Sequence, residues 1–187
     1  MAGKLFVLSG PSGVGKGTVR DTILKDESLN LVFSISMTTR SPRDGEINGV
    51  HYYFVSKEFF EEEIKKDEFL EYAKFVNNYY GTPKKEIKKL LEQGKNVLLE
   101  IEVQGAKQVM KKCPKAITIF MMPPSFEELE KRIRGRRSEP EEIVQERLSK
   151  AKSEMLEKAK YKYVVLNDTV QNASSAIIKI IQDESDE

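Results

Sequence analysis

Cysteine is nearly absent. Cys113 is the only one in 187 residues. A lone thiol excludes an intramolecular disulfide and offers no zinc constellation. That usage fits a reducing compartment, and the cytoplasm is the expected location. Net charge is nearly absent too, with 31 Lys and Arg against 30 Asp and Glu. No global attraction to nucleic acid or to an anionic membrane follows, so neither is an expected partner. No apolar run approaches the length of a membrane span. The N-terminus lacks the apolar segment, roughly 7–15 residues long, that a signal peptide needs. Histidine occurs once, as His51. With no visible partner it is expected to be a surface or packing residue, not a base. Cys113 stands before Pro114 with no activating neighbour. There is no internal repeat and no low-complexity linker.

What is present is a glycine-rich turn. Gly10-Pro11-Ser12-Gly13-Val14-Gly15-Lys16-Gly17-Thr18 follows the apolar run Leu5–Leu8 and precedes a helix-compatible stretch with Val19 and Ile23. Strand, glycine turn and helix together are the setting in which a loop wraps a phosphate chain. Glycines let successive main-chain N–H groups turn inward. The helix aims its positive end at the same point. Lys16 adds a full charge on a reach suited to β- and γ-phosphates. The residue after Lys16 in the strict pattern is Ser or Thr, whose hydroxyl can ligate Mg²⁺. Here it is Gly17, which leaves more of the metal shell to water and phosphate oxygen. No direct protein ligand for the metal is assigned.

A composition of 39% hydrophobic and 33% charged residues suits one well-cored domain with small appendages. Strand-length apolar runs occur at 4–8, 31–36, 96–101, 116–122 and 163–166. They hardly alternate, as expected of strands covered on both faces. Helices are expected after Thr82-Pro83, with Ile87, Leu90 and Leu91 on one face. Others are expected after the capping box Ser125-Phe126-Glu127-Glu128 and after Ser138-Glu139-Pro140-Glu141. In the last of these Ile143, Leu148 and Met155 are spaced to face a core. A final helix carries Ala173, Ile177, Ile180 and Ile181. The alternation implies a parallel sheet with right-handed crossovers. Residues 40–81 interrupt it with turn signals, short β segments and a helix near 58–65, as a small insert would.

Four further clusters carry potential chemistry. Ser36-Met37-Thr38-Thr39-Arg40-Ser41-Pro42-Arg43 puts two guanidinium forks past a strand end, where they could hold a phosphate or simply be solvated. Asn77-Asn78-Tyr79-Tyr80-Gly81-Thr82, with Glu71 and Tyr52, could bind a phosphate and a base or form an aromatic core. Glu100 and Glu102 are expected on one face of a strand, where carboxylates can orient Mg²⁺ through its waters. Arg132, Arg134, Arg136, Arg137 and Arg147 surround a glycine turn. They could close as a lid on a transferring phosphoryl group, or face solvent against Glu139, Glu141 and Glu142.

In this order, these pieces resemble the guanylate kinases, which phosphorylate GMP with ATP. The likeness runs from Phe6 to about Asp168. The family's phosphate loop matches Gly10 to Thr18. Its signature S-x-(x)-T-R-x-x-R matches Ser36, Thr39-Arg40 and Arg43, and G-E-x-x-G-x-x-Y matches Gly45 to Tyr52. The resemblance implies that Arg40, Arg43 and Tyr52 hold the GMP phosphate. Glu71, Tyr80 and Thr82 match positions that take the phosphate and the guanine edge, and Ser36 matches another guanine contact. Glu100 and Glu102 fall where the family often has D-x-D. Arg132, Arg136 and Arg147 match lid arginines, and Asn167-Asp168 a segment near the adenine.

The implied fold is α/β: a P-loop NTPase-type parallel sheet flanked by helices, with an inserted nucleoside-monophosphate-binding α+β subdomain and a helical lid. The implied division is 1–39, 84–125 and 148–187 for the core, 40–83 for the insert and 126–147 for the lid. The implied reaction is Mg²⁺-dependent transfer from ATP to GMP, and to dGMP, in purine nucleotide metabolism, by a monomer or homodimer. A catalytically inactive binding module, or a same-fold kinase with another phosphorylated acceptor, are the competing readings.

Overall fold

The protein is described from a computed structural model, which covers residues 2–75, 77–135 and 140–186. Leu5–Ser9 (β1) is buried along its whole length. It lies in the middle of a five-stranded sheet. Leu31–Phe33 (β2), Asn96–Glu100 (β7), Ile117–Met122 (β8) and Tyr163–Leu166 (β9) complete that sheet in the order β2-β7-β1-β8-β9. Every pairing is parallel. In β1, β7 and β8 the near-absence of alternation has a direct cause, whereas β9, expected to be covered on both faces, leaves Val164 and Leu166 each 51% exposed at the sheet edge. Phe6 and Leu8 face one core, with Leu98, Ile119 and Met121. Leu5 and Val7 face another, with Val97, Leu99 and Phe120. A strand covered on both faces has no polar side to display.

Lys16–Ile23 (α1), Phe126–Arg134 (α5), Glu141–Met155 (α6) and Val170–Asp186 (α7) pack on the first face through Val19, Ile23, Leu129, Ile133, Leu148 and Ile177. Lys84–Glu92 (α3) and Val103–Lys112 (α4) pack on the second. The Ser125 hydroxyl accepts from the Glu128 amide, as the capping box demands.

A second sheet, ordered β4-β3-β6-β5, is built from Met37–Thr38 (β3), Tyr53–Phe54 (β4), Phe69–Phe75 (β5) and Asn78–Pro83 (β6). It is mixed, with β3 parallel to β4 and β6 antiparallel to both β3 and β5. Lys57–Lys65 (α2) covers it through Phe60, whose ring stacks on Phe69 and Tyr79.

Three expectations need correction. The second apolar run is not one strand: β2 stops at Phe33, and the chain joins the small sheet at Met37. Ile143 does not face the core. It is 41% exposed, and Val144 takes the buried position. The helix phase is set by Val144, Leu148 and Ala151, a tighter i, i+4, i+7 stripe than the one through Ile143. Glu100 and Glu102 do not share a strand face. The strand ends at Glu100, and Glu102 is the N-cap residue of α4.

Candidate active site at the strand ends

β1 and β7 run in parallel with Leu8 opposite Glu100, so both release the chain at the same edge of the sheet. Crevices at such carboxyl ends are where open α/β sheets hold ligands. The turn after β1 has Gly10 at φ 150°, Gly13 at 84° and Gly15 at 99°. These values favour glycine over any residue with a side chain. Space excludes a side chain as well. A Cβ on Gly10 would lie 2.5 Å from the Met121 carbonyl oxygen, and one on Gly13 would lie 2.8 Å from Ile133. The turn feeds α1 with Gly15 as its N-cap and no side-chain cap, so the first amides of the helix stay open to an anion.

Gly10, Ser12, Gly13, Gly15, Lys16, Gly17 and Thr18 line a cavity of about 320 Å³. Pro11 and Val14 are buried behind them. Lys16 folds back on its own loop, donating to the carbonyls of Gly10 at 2.8 Å and Pro11 at 3.2 Å. Burial pushes its pKa down, and the carboxylates of Glu100, Glu154 and Glu102 act against that. Gly17 is different from its neighbours. A Cβ there would meet nothing nearer than 3.8 Å, with the Glu100 carboxylate at 3.9 Å.

The loop is tied down from behind. Asn167 is buried, and its Nδ2 donates to the Val14 carbonyl at 2.7 Å. Arg132 donates to the same carbonyl and to that of Asn167, both at 3.2 Å. Arg147 Nη2 lies 3.3 Å from the Ser12 hydroxyl. Arg134, by contrast, is on the surface and is spent on Glu130 and Glu141, each at 2.7 Å. It has the solvated fate that basic helix faces usually have. Arg136 and Arg137 lie outside the described residues, as do Ser138 and Glu139.

A second cleft of about 660 Å³ opens between the small sheet and α4. Ser36, Tyr52, Glu71, Tyr80, Glu100 and Glu102 line it, and the last two also line the phosphate-loop cavity. The two spaces therefore share a wall. Glu71 is 7% exposed and accepts from the Thr82 hydroxyl at 2.7 Å. Burial raises its pKa, and the bonds from Thr82 oppose the rise. Gly105 makes room for it, because a Cβ there would lie 2.7 Å from the Glu71 carboxylate. Thr82 sits behind Glu71, away from the lining.

Arg40 and Arg43 are also outside the lining. Arg40 forks onto Glu46 through bonds of 2.9 and 2.8 Å, with its guanidinium 5.5 Å from the Tyr52 ring. Glu46 also accepts from the Arg43 amide at 2.7 Å. The Arg43 side chain is exposed. Tyr52 meets Tyr80 edge-on at 6.1 Å.

Three charged residues escaped the sequence reading. Arg20 pairs with Glu100 at 2.7 Å. Lys150 pairs with Glu102 at 2.7 Å and lines the second cleft. Glu154 lines the first. Stepping two turns along the helix from Arg147 would have found Lys150 and Glu154. Nothing in the sequence marks Arg20.

Among the described residues no group of three His, Cys, Asp or Glu side chains could hold a metal ion. No helix among them is long and apolar enough to cross a membrane.

The family model described as guanylate kinase matches residues 2–184. The chain is 54% identical over 182 residues to a guanylate kinase of Latilactobacillus sakei, covering 97% of this chain and 90% of that protein. It is 52% identical over 179 residues to one from Mesoplasma florum, spanning 96% of this chain and 60% of that protein. The crystal structure of guanylate kinase from Anaplasma phagocytophilum superposes with a TM-score of 0.77 at 34% identity, covering 100% of this chain and 88% of that one. With a glycine-rich loop cavity and a neighbouring cleft sharing a wall at one sheet edge, and with likeness along its whole length, the chain belongs to the guanylate kinase family of nucleoside monophosphate kinases.

Proposed function

We propose that this guanylate kinase moves the γ-phosphoryl group of Mg·ATP in line onto the phosphate of GMP, giving ADP and GDP. The observation that carries the assignment is the shared wall. Glu100 and Glu102 border both the phosphate-loop cavity and the Glu71 cleft, so two nucleotides bound there would meet phosphate to phosphate.

The loop from Gly10 to Thr18 cradles the donor phosphates with its remaining main-chain amides, those of Ser12 and Val14 being bonded to Glu154 and to the Pro11 carbonyl. Lys16 leaves the Gly10 and Pro11 carbonyls and turns to the transferring group, where charge stabilisation is the main catalytic need. Arg132 and Arg147 already rest on the loop and add positive charge beside it, joined by Arg136 on the sequence reading. Asn167 supports the loop under Val14. On the acceptor side, Arg40, Arg43, Tyr52 and Tyr80 hold the GMP phosphate. Glu71, backed by Thr82, accepts from the donor pair on the guanine edge, and Ser36 adds a contact. A phosphate oxygen of GMP attacks Pγ as the bond from Pγ to the β–γ bridging oxygen breaks, and ADP takes the electron pair. The attacking phosphate is already ionised, so no general base is required. His51, exposed and accepting from the Ile47 amide, and Cys113 line neither cavity.

The residues present fit Mg²⁺ brought in with ATP. Glu100 and Glu102, paired with Arg20 and Lys150 at the shared rim, would hold it through its water shell rather than as direct ligands. When bound, the ion neutralises charge on the phosphate chain. The chain's own part is to keep those carboxylates at the rim.

The test is ADP release with Mg·ATP and, separately, GMP, dGMP, AMP, UMP and CMP. Turnover confined to GMP and dGMP supports the assignment. Turnover with AMP alone overturns the acceptor. Binding of phosphopeptides without any turnover favours an inactive module.

A further inference from the structure

Helix α6 presents Arg147, Lys150 and Glu154 at i, i+3 and i+7, which places them along one face. The transfer scheme uses Arg147. Glu154 has no part in it, yet it occupies an expensive position. It is 7% exposed and borders the phosphate-loop cavity. Burial pushes its pKa up. A carboxylate there costs several kcal/mol unless hydrogen bonds compensate it.

Its compensation comes from the loop itself. Glu154 Oε2 accepts from the main-chain N–H of Ser12 at 3.3 Å, and Lys150 Nζ lies 3.8 Å from its other oxygen. Ser12 is thereby gripped twice, its amide by Glu154 and its hydroxyl by Arg147. The grip falls where the loop has least intrinsic preference, between Gly10 and Gly13, both at positive φ. Asn167 and Arg132 hold the loop two residues further on, at Val14. Lys16 also holds the Gly10 and Pro11 carbonyls, but in the transfer scheme it leaves them, and Glu154 then remains as the main-chain anchor of the first half of the turn.

We propose that Glu154 is a positioning residue of the donor site, which fixes the curl of the phosphate loop through the Ser12 amide and so sets ATP affinity independently of GMP. The proposal rests on the donor-site reading above.

Three variants separate the bond from the charge. Glu154→Gln keeps an acceptor oxygen at the same reach and removes the charge. Glu154→Asp keeps the charge and withdraws it by one methylene. Glu154→Ala removes both. Each is measured for KM of ATP at saturating GMP, for KM of GMP at saturating ATP, and by calorimetry with ATP alone. The Ala and Asp variants are expected to weaken ATP about tenfold and leave the KM of GMP unchanged, as suits loss of one charge-assisted hydrogen bond. Gln is expected to recover most of that loss. The proposal is overturned if Asp binds ATP like the native chain while Gln matches Ala, or if GMP weakens in step with ATP. It is equally overturned if the variants lose thermal stability with ATP affinity unmoved. Should Ala fail to fold, the order of Asp and Gln decides. A native chain that binds no ATP by calorimetry would instead overturn the donor-site reading.

Discussion

The proposed donor and acceptor pockets share a wall but are built from different materials. The donor pocket is main chain. Its shape follows from three glycines at positive φ and from a helix start with no side-chain cap. The acceptor pocket is side chain. Glu71 is seated by Thr82 and by the gap at Gly105, and Arg40, just outside the lining, forks onto Glu46. A main-chain cradle reads charge and cannot tell one nucleotide from another by its base. A side-chain pocket can, because an unmatched buried carboxylate is costly. On the proposed assignment grip is separated from choice, and the two should fail separately under mutation.

The largest effect expected is on the grip. Lys16→Ala removes the charge proposed to turn onto the transferring group and leaves Arg132 and Arg147 beside the loop. It should lower kcat by about a thousandfold or more while GMP binding, followed by calorimetry, stays as it was. A kcat within a few-fold of the native value would break the comparison outright. Next comes the choice. Glu71→Ala should lower kcat/KM for GMP by about a hundredfold, with the KM of ATP unchanged. If the KM of ATP rose equally, the shared wall would be one pocket and not two. A smaller effect is expected from Gly15→Ala. It places a side chain at φ 99° with the Asn167 amide 2.9 Å away. Strain of about 1–2 kcal/mol is typical of such a position. It should appear as a roughly tenfold rise in the KM of ATP, with acceptor discrimination unaltered in the panel of monophosphates.

The same division explains what could be read in the sequence. A main-chain site is written in consecutive residues, so Gly10 to Thr18 marked the loop and the helix start that follows it. The three central strands of the main sheet were legible for a related reason. Strands buried on both faces carry near-continuous apolar runs, and Leu5–Leu8 and Ile117–Met122 could hardly be anything else. Side-chain sites are assembled across distance. Glu71 and Thr82 come from neighbouring strands and Gly105 from a helix, and the resemblance located them where spacing alone did not. Local pattern misled where a single residue changed the element. Glu102 looked like the continuation of Glu100 along a strand, but the chain turns into α4 between them. Glu154 stayed hidden because a Glu among the lysines and glutamates of α6 looks like surface. Only its contact with Ser12 marks it out.

The smallest effect expected is the most selective test of how far the acceptor side is built in advance. Arg40 and the Arg43 amide hold the Glu46 carboxyl down, to about 2 against an ordinary 4.5. A depressed carboxyl stabilises the folded form fully above its unfolded value and loses that contribution as pH falls through the folded one. The Arg40–Glu46 fork should therefore be intact at every pH from neutrality down to about 4.5, and should come apart only on the way to about 2. Carbon NMR of the Glu46 carboxyl is expected to show it still ionised at pH 4, where an ordinary glutamate is more than half protonated. Glu46→Gln removes the charge at neutral pH and mimics the acid state. It should raise the KM of GMP about threefold and leave the KM of ATP where it was, because the donor cradle has no stake in this pair. A Glu46 that titrates near 4.5 would mean that the fork does not persist in solution. The acceptor arginine would then be ordered by its ligand, and the contrast between the two pockets would be sharper than the structure implies: a donor site formed in advance beside an acceptor site formed on demand.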